Sequence, residues 1–196
     1  MINEELLLEF GAELKEYSKS DTIFNEGESA RNYYQIKEGI VKMNNYNDDG
    51  KEFIQGIFYK EQSFGEPPLF IDIKYPANAA ALASTTILAL SKEKLFNLLL
   101  ENPEIHLNIT KSLAKRLHYK AIIASEISSH EPEHRVLRFF DYLKNDVFKV
   151  TSVFEVEYTR QQIADILGLR VETVIRVIKN LEKKKELQII KRKVFR

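Results

Sequence analysis

The chain has 196 residues, of which 44% are apolar and 30% charged, and its 29 basic residues balance its 29 acidic ones; these are the proportions of a globular protein and exclude a disordered one. It contains no cysteine, which excludes disulfides, thiolate zinc sites, iron–sulfur clusters and a cysteine nucleophile. No stretch approaches the roughly 18 apolar residues of a membrane span, and the acidic N-terminus lacks the basic start of a secretory signal, so we expect a cytoplasmic protein with no membrane partner.

The first segment is predicted to be an amphipathic helix from Ile2 to Tyr17, because its apolar side chains recur at helical spacing. They are Leu6, Leu7, Phe10 and Leu14. From Asp21 to Leu90 short apolar or alternating stretches are separated by turn residues. The Asp49-Gly50 pair between two such stretches predicts a hairpin, and the regular spacing of the stretches predicts a β-sandwich or small barrel.

Two helices are predicted after these strands. The first spans residues 92–100, and the second begins at Pro103, a residue favoured in a first helical turn, and runs to about Ile127. Its apolar stripe consists of Ile105, Ile109, Leu113, Leu117, Ala121 and Ala124. This coiled-coil-like stripe predicts a dimer seam, because a helix of roughly 36 Å is longer than a small barrel. Packing against the chain's own barrel is the alternative.

Residues 128–132 interrupt the helical pattern and are interpreted as a hinge. A further helix is predicted after the hinge. Its buried face is predicted to hold Val136, Leu137, Phe139, Phe140 and Leu143. The alternating stretch at residues 153–158 then predicts a strand.

The segment from Thr159 to Leu181 carries the most informative pattern of the chain. Thr159 and Gln162 have the spacing of a capping box, and Gly168 can take the left-handed conformation that ends a helix. A second helix is predicted from about Val171. Its buried face is predicted to consist of Val174, Val177, Ile178 and Leu181. Two short helices joined by a glycine-containing turn form a helix-turn-helix, whose second helix enters the major groove of DNA.

The exposed face of this second helix is predicted to read bases. Arg176 can bond guanine bidentately, and Glu172 can accept a hydrogen bond from cytosine N4. The alternative is a surface ion pair between these two side chains, which lie four residues apart. Val171 and Ile175 suit contact with thymine methyl groups, with packing against a neighbouring helix as their alternative.

Basic residues accumulate around and after this motif. Residues 183–185 and 191–193 are all basic and flank a short strand pattern, which predicts a wing whose basic tip contacts phosphates. From Thr159 to Arg196 eleven basic and four acidic residues give a net charge of +7, so the remainder of the neutral chain carries −7. A basic segment on an acidic body favours a polyanion partner for that segment; a solvated charged tail is the alternative.

These motifs together resemble the Crp–Fnr family of bacterial transcription regulators over nearly the whole chain. Residues 159–184 (TRQQIADILGLRVETVIRVIKNLEKK) resemble its winged helix-turn-helix, and residues 23–28 with 33–39 resemble the start of its cyclic-nucleotide-binding-type jelly roll. Residues 64–66 with 69–70 resemble its effector-pocket segment, and residues 102–103 with 114–117 resemble its dimerisation helix. The resemblance implies an α+β fold: an N-terminal β jelly roll (residues 1–101), a long dimerisation helix (102–128) and a C-terminal winged helix-turn-helix (129–196).

The resemblance also implies a function. The expected protein is a non-enzymatic, sequence-specific transcription regulator that binds a near-palindromic double-stranded DNA operator as a homodimer, with RNA polymerase as a further partner. Carried over by position, the residues that contact phosphates are Arg160, Gln161 and Thr173. Glu172 and Arg176 read bases, and Gly65 and Glu66 belong to the effector pocket.

Two departures from the family pattern concern DNA. Val171 stands where many members have an arginine that reads a guanine, so we predict a half-site that differs from the cyclic-AMP-type half-site in at least one base pair. Arg170 stands where a serine or threonine usually caps the second helix. Loss of such a cap costs about 1 kcal/mol, which a phosphate contact by Arg170 would offset.

The effector pocket also departs from the family pattern. Members that bind cyclic AMP hold its phosphate with an Arg-Ser or Arg-Thr pair, and Pro76-Ala77 stand there in this chain. Lys74 is the only basic residue between Ser63 and Thr85, although a buried phosphate needs a charged partner or several donors. We therefore expect no cyclic AMP and no cofactor, and leave the identity of an effector open.

Two other functions stay open. The first is a ligand-sensing module that acts mainly through protein contacts, against which the capping box and the basic segment argue. The second is a metal-dependent enzyme built on the jelly roll. All four histidines follow the predicted jelly roll, starting at His106, which argues against a metal or haem site inside the barrel.

Overall fold

A computed structural model describes the backbone of residues 2–129 and 131–196 and, apart from residues 126–129, their side chains. The chain divides into two compact units, Met1–Leu117 and His118–Arg196. The division falls inside one long helix. The domain boundaries predicted after residues 101 and 128 stay predictions.

Two four-stranded antiparallel sheets form most of the first unit. Their strands are β1 (Glu13–Tyr17), β2 (Thr22–Phe24), β3 (Asn32–Glu38), β4 (Val41–Tyr46), β5 (Glu52–Phe58), β6 (Ser63–Phe64), β7 (Asn78–Ala81) and β8 (Thr85–Ser91). One sheet has the order β1-β8-β3-β6 and the other the order β2-β7-β4-β5. The predicted hairpin joins β4 to β5, with Tyr46 opposite Glu52. The predicted β jelly roll is confirmed.

Two hydrophobic clusters stabilise this unit. There are two because alternate residues of a strand point to opposite faces of its sheet, so that both faces can be covered. One cluster combines residues of both sheets, among them Phe24, Tyr34, Val41 and Phe64. The other covers the outer face of β3 and β8 with helices. These helices are α1 (Glu4–Glu9), α2 (Pro67–Ile71), α3 (Lys92–Glu101) and α4 (Pro103–Ser129), and the residues of the cluster include Tyr33, Leu88, Leu7, Leu95, Leu98 and Ile109.

The predicted helix from Ile2 to Tyr17 is wrong in its second half. α1 ends at Glu9, Gly11 has a φ of +81°, and β1 follows. The cause is tertiary: β1 pairs with β8 along its whole length, with Leu14 opposite Leu88, and such pairing overrides a local helical period. Leu14, which the helix pattern placed on a buried face, is 49% exposed.

The apolar stripe of α4 divides into two parts. Ile109 is buried in the helix-covered cluster, and Ile105 and Leu113 pack against it, so this part follows the alternative of packing on the chain's own barrel. Leu117 is 70% exposed, and the two alanines of the stripe are exposed as well. For this second part the dimer seam stays a prediction.

The second unit contains three helices and a three-stranded sheet after the end of α4. Its elements are α5 (Pro132–Tyr142), a π-helical turn (Leu143–Val147), β9 (Glu155–Val156), α6 (Arg160–Leu167), α7 (Val171–Lys183), β10 (Gln188–Ile190) and β11 (Lys193–Phe195). The sheet order is β10-β11-β9. The strand predicted at residues 153–158 is shorter in the structure, where only the two residues of β9 are extended in the sheet. The predicted hinge falls partly on residue 130, outside the described residues. The predicted winged helix-turn-helix is confirmed.

Candidate nucleic-acid interface

The capping box predicted at the start of α6 is present. The Thr159 hydroxyl accepts a hydrogen bond from the Gln162 backbone N–H at 3.1 Å, and the Gln162 side-chain oxygen accepts one from the Thr159 N–H at 2.9 Å. Two N–H groups that a helix start leaves without partners are thus satisfied. The position of the first turn of α6 is fixed by these bonds.

The turn between α6 and α7 is made by Gly168 and Leu169. Gly168 has a φ of +64°, and the backbone N–H of Leu169 donates to the Ala164 carbonyl at 2.9 Å. Ile163, Ala164 and Leu167 are buried, so α6 packs closely against its neighbours. This arrangement places α7 immediately after a tight turn, as a helix-turn-helix requires.

α7 has one buried face and one exposed face. The buried side chains are Val174, Val177, Ile178 and Leu181, which are the four that the sequence predicted. On the opposite face Glu172, Ile175 and Arg176 are exposed. The exposed face is therefore free for contact with a partner over the N-terminal half of the helix.

Glu172 and Arg176 do not form the surface ion pair that was the alternative for them: within the described residues neither side chain has an ion-pair partner. The two apolar residues of this face differ from each other. Ile175 is 40% exposed, whereas Val171 is half-buried and therefore less exposed than Ile175. Both side chains are still accessible to a partner surface.

The residues predicted to contact phosphates have different surroundings. Arg170 is the N-cap of α7, is exposed, and makes no capping bond through its side chain, as its residue type predicted. Gln161 is exposed, but its side-chain amide donates to the buried carboxylate of Asp165 at 2.8 Å. Thr173 is half-buried in the first turn of α7. Asp165 therefore fixes the amide of Gln161, which the sequence did not indicate.

Arg160 has a contact that the sequence did not indicate. Its Nη2 donates to the backbone carbonyl of Arg192 at 3.4 Å, which links the first turn of α6 to the hairpin of β10 and β11. Burial lowers the pKa of Arg160, but a guanidinium stays protonated in proteins. Arg160 is therefore both a cation and a support for the hairpin.

Ion pairs fasten the hairpin to the rest of the unit. Nε and Nη2 of Arg196 donate to the two carboxylate oxygens of Asp141 at 2.7 and 3.2 Å, a bidentate geometry that is strong and directional. The bond to Asp141 raises the pKa of Arg196. Lys193 pairs with Glu155 at 2.6 Å. The last two strands are thus held by side chains as well as by their ladder.

A second set of polar contacts fastens the end of α7 to α5. Glu133 accepts a hydrogen bond from the Asn180 side chain at 3.3 Å and forms an ion pair with Lys184. The hydrogen bond from Lys184 lowers the pKa of Glu133. These contacts fix the C-terminal end of α7, which leaves its N-terminal half as the free part.

The predicted effector segment contains a buried ion pair. Glu66 is 1% exposed, and both of its carboxylate oxygens accept hydrogen bonds from Nη1 of Arg116 at 3.2 and 3.1 Å. Nη2 of Arg116 donates to the Ser63 carbonyl at 2.6 Å, and the guanidinium lies 5.1 Å from the centroid of the Phe58 ring. The sequence placed only Lys74 near Glu66; the cation that neutralises it comes from α4, fifty residues later.

Aromatic rings occupy the interior beside this pair. Phe24 stacks on Tyr75 with centroids 3.7 Å apart, and Tyr34 stacks on Phe64 at 5.5 Å. Gly65 has a φ of +73°, and a Cβ there would lie 3.1 Å from the Phe24 ring. A cavity of about 290 Å³ opens beside the stack and includes Arg31 and Tyr34 in its lining, whereas Glu66 and Gly65 do not line it.

Among the described side chains, those of residues 2–125 and 131–196, no group of three or more His, Asp or Glu is arranged to hold a metal ion. None of the helices that the structure describes is long and apolar enough to span a membrane.

Comparison with known proteins gives concordant results for the two units. Residues 14–102 match the cyclic nucleotide-binding domain, and residues 134–195 match the Crp-like helix-turn-helix domain. The chain is 30% identical over 172 residues to the cAMP-activated global transcriptional regulator CRP of Haemophilus influenzae, covering 86% of this chain and 77% of the relative. It is 26% identical over 184 residues to the global nitrogen regulator of a Nostoc species, covering 91% and 82% of the two chains.

A solved structure agrees with these relatives in fold. The CooA mutant from Carboxydothermus hydrogenoformans superposes with a TM-score of 0.82 at 21% identity, covering 100% of this chain and 86% of that one. The proteins similar in sequence are transcription regulators, and a non-enzymatic function follows for this chain as predicted. By its two matched domains and its identity to these relatives, the chain belongs to the Crp–Fnr family of DNA-binding transcription regulators.

Proposed function

We propose that this regulator binds a near-palindromic operator as a homodimer and reads base edges with the exposed face of α7. The observation that carries the proposal is the two-sided character of that helix: one face is fully buried, while Glu172 and Arg176 are exposed and without ion-pair partners among the described residues. Exposed, unpaired polar groups at the N-terminal half of a second helix suit direct readout in the major groove.

Each residue of this face has a separate role in the proposal. Arg176 donates to guanine N7 and O6, and Glu172 accepts from cytosine N4. Ile175 and Val171 contact thymine methyl groups, with Ile175 the more exposed of the two. The resulting specificity differs from that of members with an arginine at the position of Val171.

Four residues around the turn fix the register on the duplex through phosphates. They are Arg160, Gln161, Arg170 and Thr173. Arg170 is the most direct candidate, because it is exposed at the start of α7, where the helix dipole also favours an anion. Such contacts supply affinity but carry no sequence information.

A homodimer matches a near-palindromic operator, since each α7 then reads one half-site and the two helices lie about 34 Å apart. The exposed second part of the α4 stripe, which begins at Leu117, supports a seam of this kind. RNA polymerase is a further partner in the proposal, as for regulators that act on transcription directly.

We propose that the jelly roll does not hold cyclic AMP through an Arg-Ser or Arg-Thr pair, as family members that bind cyclic AMP do. The Haemophilus influenzae relative is cAMP-activated by its name, but here Ala77 is fully buried in the interior and Arg116 already neutralises Glu66. A phosphate there would lack the charged partner that burial requires. We place the protein in the cytoplasm, in keeping with its DNA partner.

Selection of bound fragments from genomic DNA, followed by gel-shift titration at several salt concentrations, tests this function. The expected result is one recurrent near-palindromic sequence and a steep fall of affinity with salt, because phosphate contacts release counterions. Binding without any sequence preference, or none at all, would instead favour a ligand-sensing module that acts through protein contacts. The same titration with cyclic AMP added is expected to give an unchanged affinity.

A further inference from the structure

A hydrogen-bonded group of buried side chains lies on the helix-covered side of β3 and β6. Tyr33 and Gln35 are two residues apart on β3 and therefore point to the same face of the sheet, the face that carries the helix-covered cluster. Gln35 lies opposite Ser63 of β6 in the strand ladder, and all three side chains are buried. Polar groups buried this deeply need hydrogen-bond partners, and the partners here come from two distant parts of the chain.

At one end, this group binds the backbone of the N-terminal segment. The side-chain oxygen of Gln35 accepts a hydrogen bond from the Ile2 N–H at 3.1 Å, and the Gln35 amide donates to the Ile2 carbonyl at 2.8 Å. One side chain thus satisfies both backbone groups of a residue, as a neighbouring antiparallel strand would. Ile2 is itself buried, so Gln35 holds the segment that leads into α1.

At the other end, the group reaches α4 through two hydroxyls. The Tyr33 hydroxyl donates to the Gln35 side-chain oxygen at 2.8 Å and is also hydrogen-bonded to Ser63. The Ser63 hydroxyl donates to the carboxylate of Glu66, which Arg116 of α4 neutralises. A continuous series of hydrogen bonds therefore joins the N-terminal segment to α4.

The Tyr33 hydroxyl has one proton and two acceptors, Gln35 and Ser63. Burial raises the pKa of Tyr33, so the proton is retained at neutral pH. The proton goes to Gln35 while that side chain is held by Ile2. Once released from Ile2, Gln35 can turn away; Ser63 then accepts from Tyr33 and donates to Glu66 alone. The series thus has two arrangements, as coupling between distant groups requires.

The N-terminal segment is held in a way that permits its release. A cavity of about 520 Å³ opens beside it, with Lys60 and Glu61 also in its lining. Glu4 forms an ion pair with Lys37 in which both side chains are more than one third exposed, and exposed pairs contribute little to stability. Release therefore opposes mainly the two hydrogen bonds of Gln35 and the burial of one apolar side chain.

We propose that Gln35 is a regulatory binding site for the N-terminal segment of the chain, and that its occupancy sets how Arg116 holds α4. Arg116 directly precedes Leu117, where the exposed part of the α4 stripe begins, so the two arrangements differ in the strength of the proposed dimer. The tyrosine and serine of the series are positioning residues, which act on α4 through Glu66. The inference rests on the proposed function, because the proposed dimer is its readout.

The test is a cycle of substitutions that is measured as the dimer dissociation constant in sedimentation equilibrium. Gln35→Met keeps the bulk of the side chain but releases the backbone of Ile2. It is expected to raise the constant by about 2- to 30-fold, the range of such couplings. In a Tyr33→Phe background, which lacks the hydroxyl that passes the change on, Gln35→Met is expected to leave the constant unchanged.

Tyr34→Phe provides the matched control background. Tyr34 is the next residue of β3, is buried as well, and points into the other cluster, where its hydroxyl accepts a hydrogen bond from Asn32 at 3.3 Å. Gln35→Met is expected to keep its full effect in this background. An effect of the same size with Tyr33→Phe would mean that Gln35 acts through general stability, and would overturn the proposed coupling.

The outcomes separate this inference from the proposed function. A monomeric wild-type protein would refute the proposed dimer, and amide hydrogen exchange of residues 113–117 in α4 would then decide the inference. Gln35→Met is expected to accelerate that exchange, except in the Tyr33→Phe background. If Gln35→Met changes neither the exchange nor the assembly of a protein that binds its operator as a dimer, the inference is wrong and the proposed function stands.

Discussion

Arg176 extends from the exposed face of α7, and no carboxylate of the described residues pairs with it. We predict that Arg176→Ala weakens binding to the selected operator by about 5- to 150-fold, because one bidentate contact to guanine contributes about 1 to 3 kcal/mol of discrimination. Binding to random DNA is expected to change little. Gel-shift titration against operator and random duplexes at one salt concentration measures both.

The control for this variant is Lys179→Ala, which removes an exposed cation of the same helix one turn later. It is expected to weaken operator and random binding alike, as loss of a general electrostatic contribution does. Should Arg176→Ala reduce both affinities by one factor, as the control does, the base-reading role would be wrong.

The ion pair of Glu66 and Arg116 is the second residue-scale feature with a measurable consequence. Arg116→Met would leave the carboxylate of Glu66, which is 1% exposed, without its cation, and we predict a loss of about 3 kcal/mol in the free energy of unfolding. The double variant Glu66→Gln with Arg116→Met is expected to recover part of this loss, because no buried charge is then unpaired. Urea titration of both variants measures the difference.

Lys115→Met is the matched control, since Lys115 precedes Arg116 on α4 and is exposed. It is expected to change the free energy of unfolding by no more than about 0.5 kcal/mol. A loss for Arg116→Met as small as this would mean that the pair contributes nothing beyond exposed charge.

The sequence was least able to predict which residues contact each other. Arg116 reaches Glu66 from fifty residues away, and Arg160 reaches the carbonyl of Arg192 from thirty-two. Contacts between residues so far apart in the chain leave no periodic pattern that a single sequence could reveal. The capping box was predicted correctly because both of its partners lie within one helical turn.

At the scale of elements, the capping box stabilises the start of α6, the first helix of the helix-turn-helix. We predict that Thr159→Ala lowers the free energy of unfolding by about 1 kcal/mol, because the Gln162 N–H loses its acceptor. Thr159→Ser, which keeps the hydroxyl, is expected to retain nearly the full value. Thermal or urea unfolding of the two variants compares them, and equal losses would contradict a role of the hydroxyl.

The second part of the α4 stripe is the element-scale feature on which the proposed dimer depends. Leu117 is 70% exposed, and a lysine in its place would put a charge into the proposed seam. Leu117→Lys is therefore expected to shift the protein from dimer towards monomer in sedimentation equilibrium. Leu100→Lys, at a leucine of α3 that is 79% exposed, is the control and is expected to leave the assembly unchanged.

β1, which was predicted as part of a helix, shows where local sequence patterns fail as predictors. The leucine and phenylalanine spacing before Tyr17 is helical, yet β1 takes its second half because a complete antiparallel partner, β8, is available. Helix-turn-helix and hairpin were predicted correctly because glycines mark their turns. Edge strands such as β1 have no such mark, and their partners lie far away in the chain.

At the scale of the whole molecule, the proposed base reading by α7 makes a prediction about the preferred operator sequence. Val171 replaces an arginine of many family members, and it is half-buried rather than fully exposed. We predict that selection from a random DNA pool yields a half-site that differs from the cyclic-AMP-type half-site in at least one base pair. Val171→Arg is expected to move the selected half-site towards that type, and an unchanged cyclic-AMP-type half-site for the wild type would contradict the prediction.

The order of the architecture could be predicted from the sequence, because the family resemblance covers nearly the whole chain and both domain types are confirmed. The contents of the jelly-roll interior could not. They depend on rings from Phe24, Tyr34, Phe64 and Tyr75 that meet only in the folded chain. Such packing has no signature in a linear pattern.

Arg196 connects several parts of the second unit at once. Its side chain holds Asp141 and the Glu186 carbonyl, while its backbone exchanges two hydrogen bonds with Phe154. Removing the guanidinium would break the ion pair that joins the end of β11 to α5 and would loosen the hairpin. Amide hydrogen exchange over residues 188–195 would then accelerate well before global unfolding, so the side chain of Arg196 governs how rigidly the wing is held.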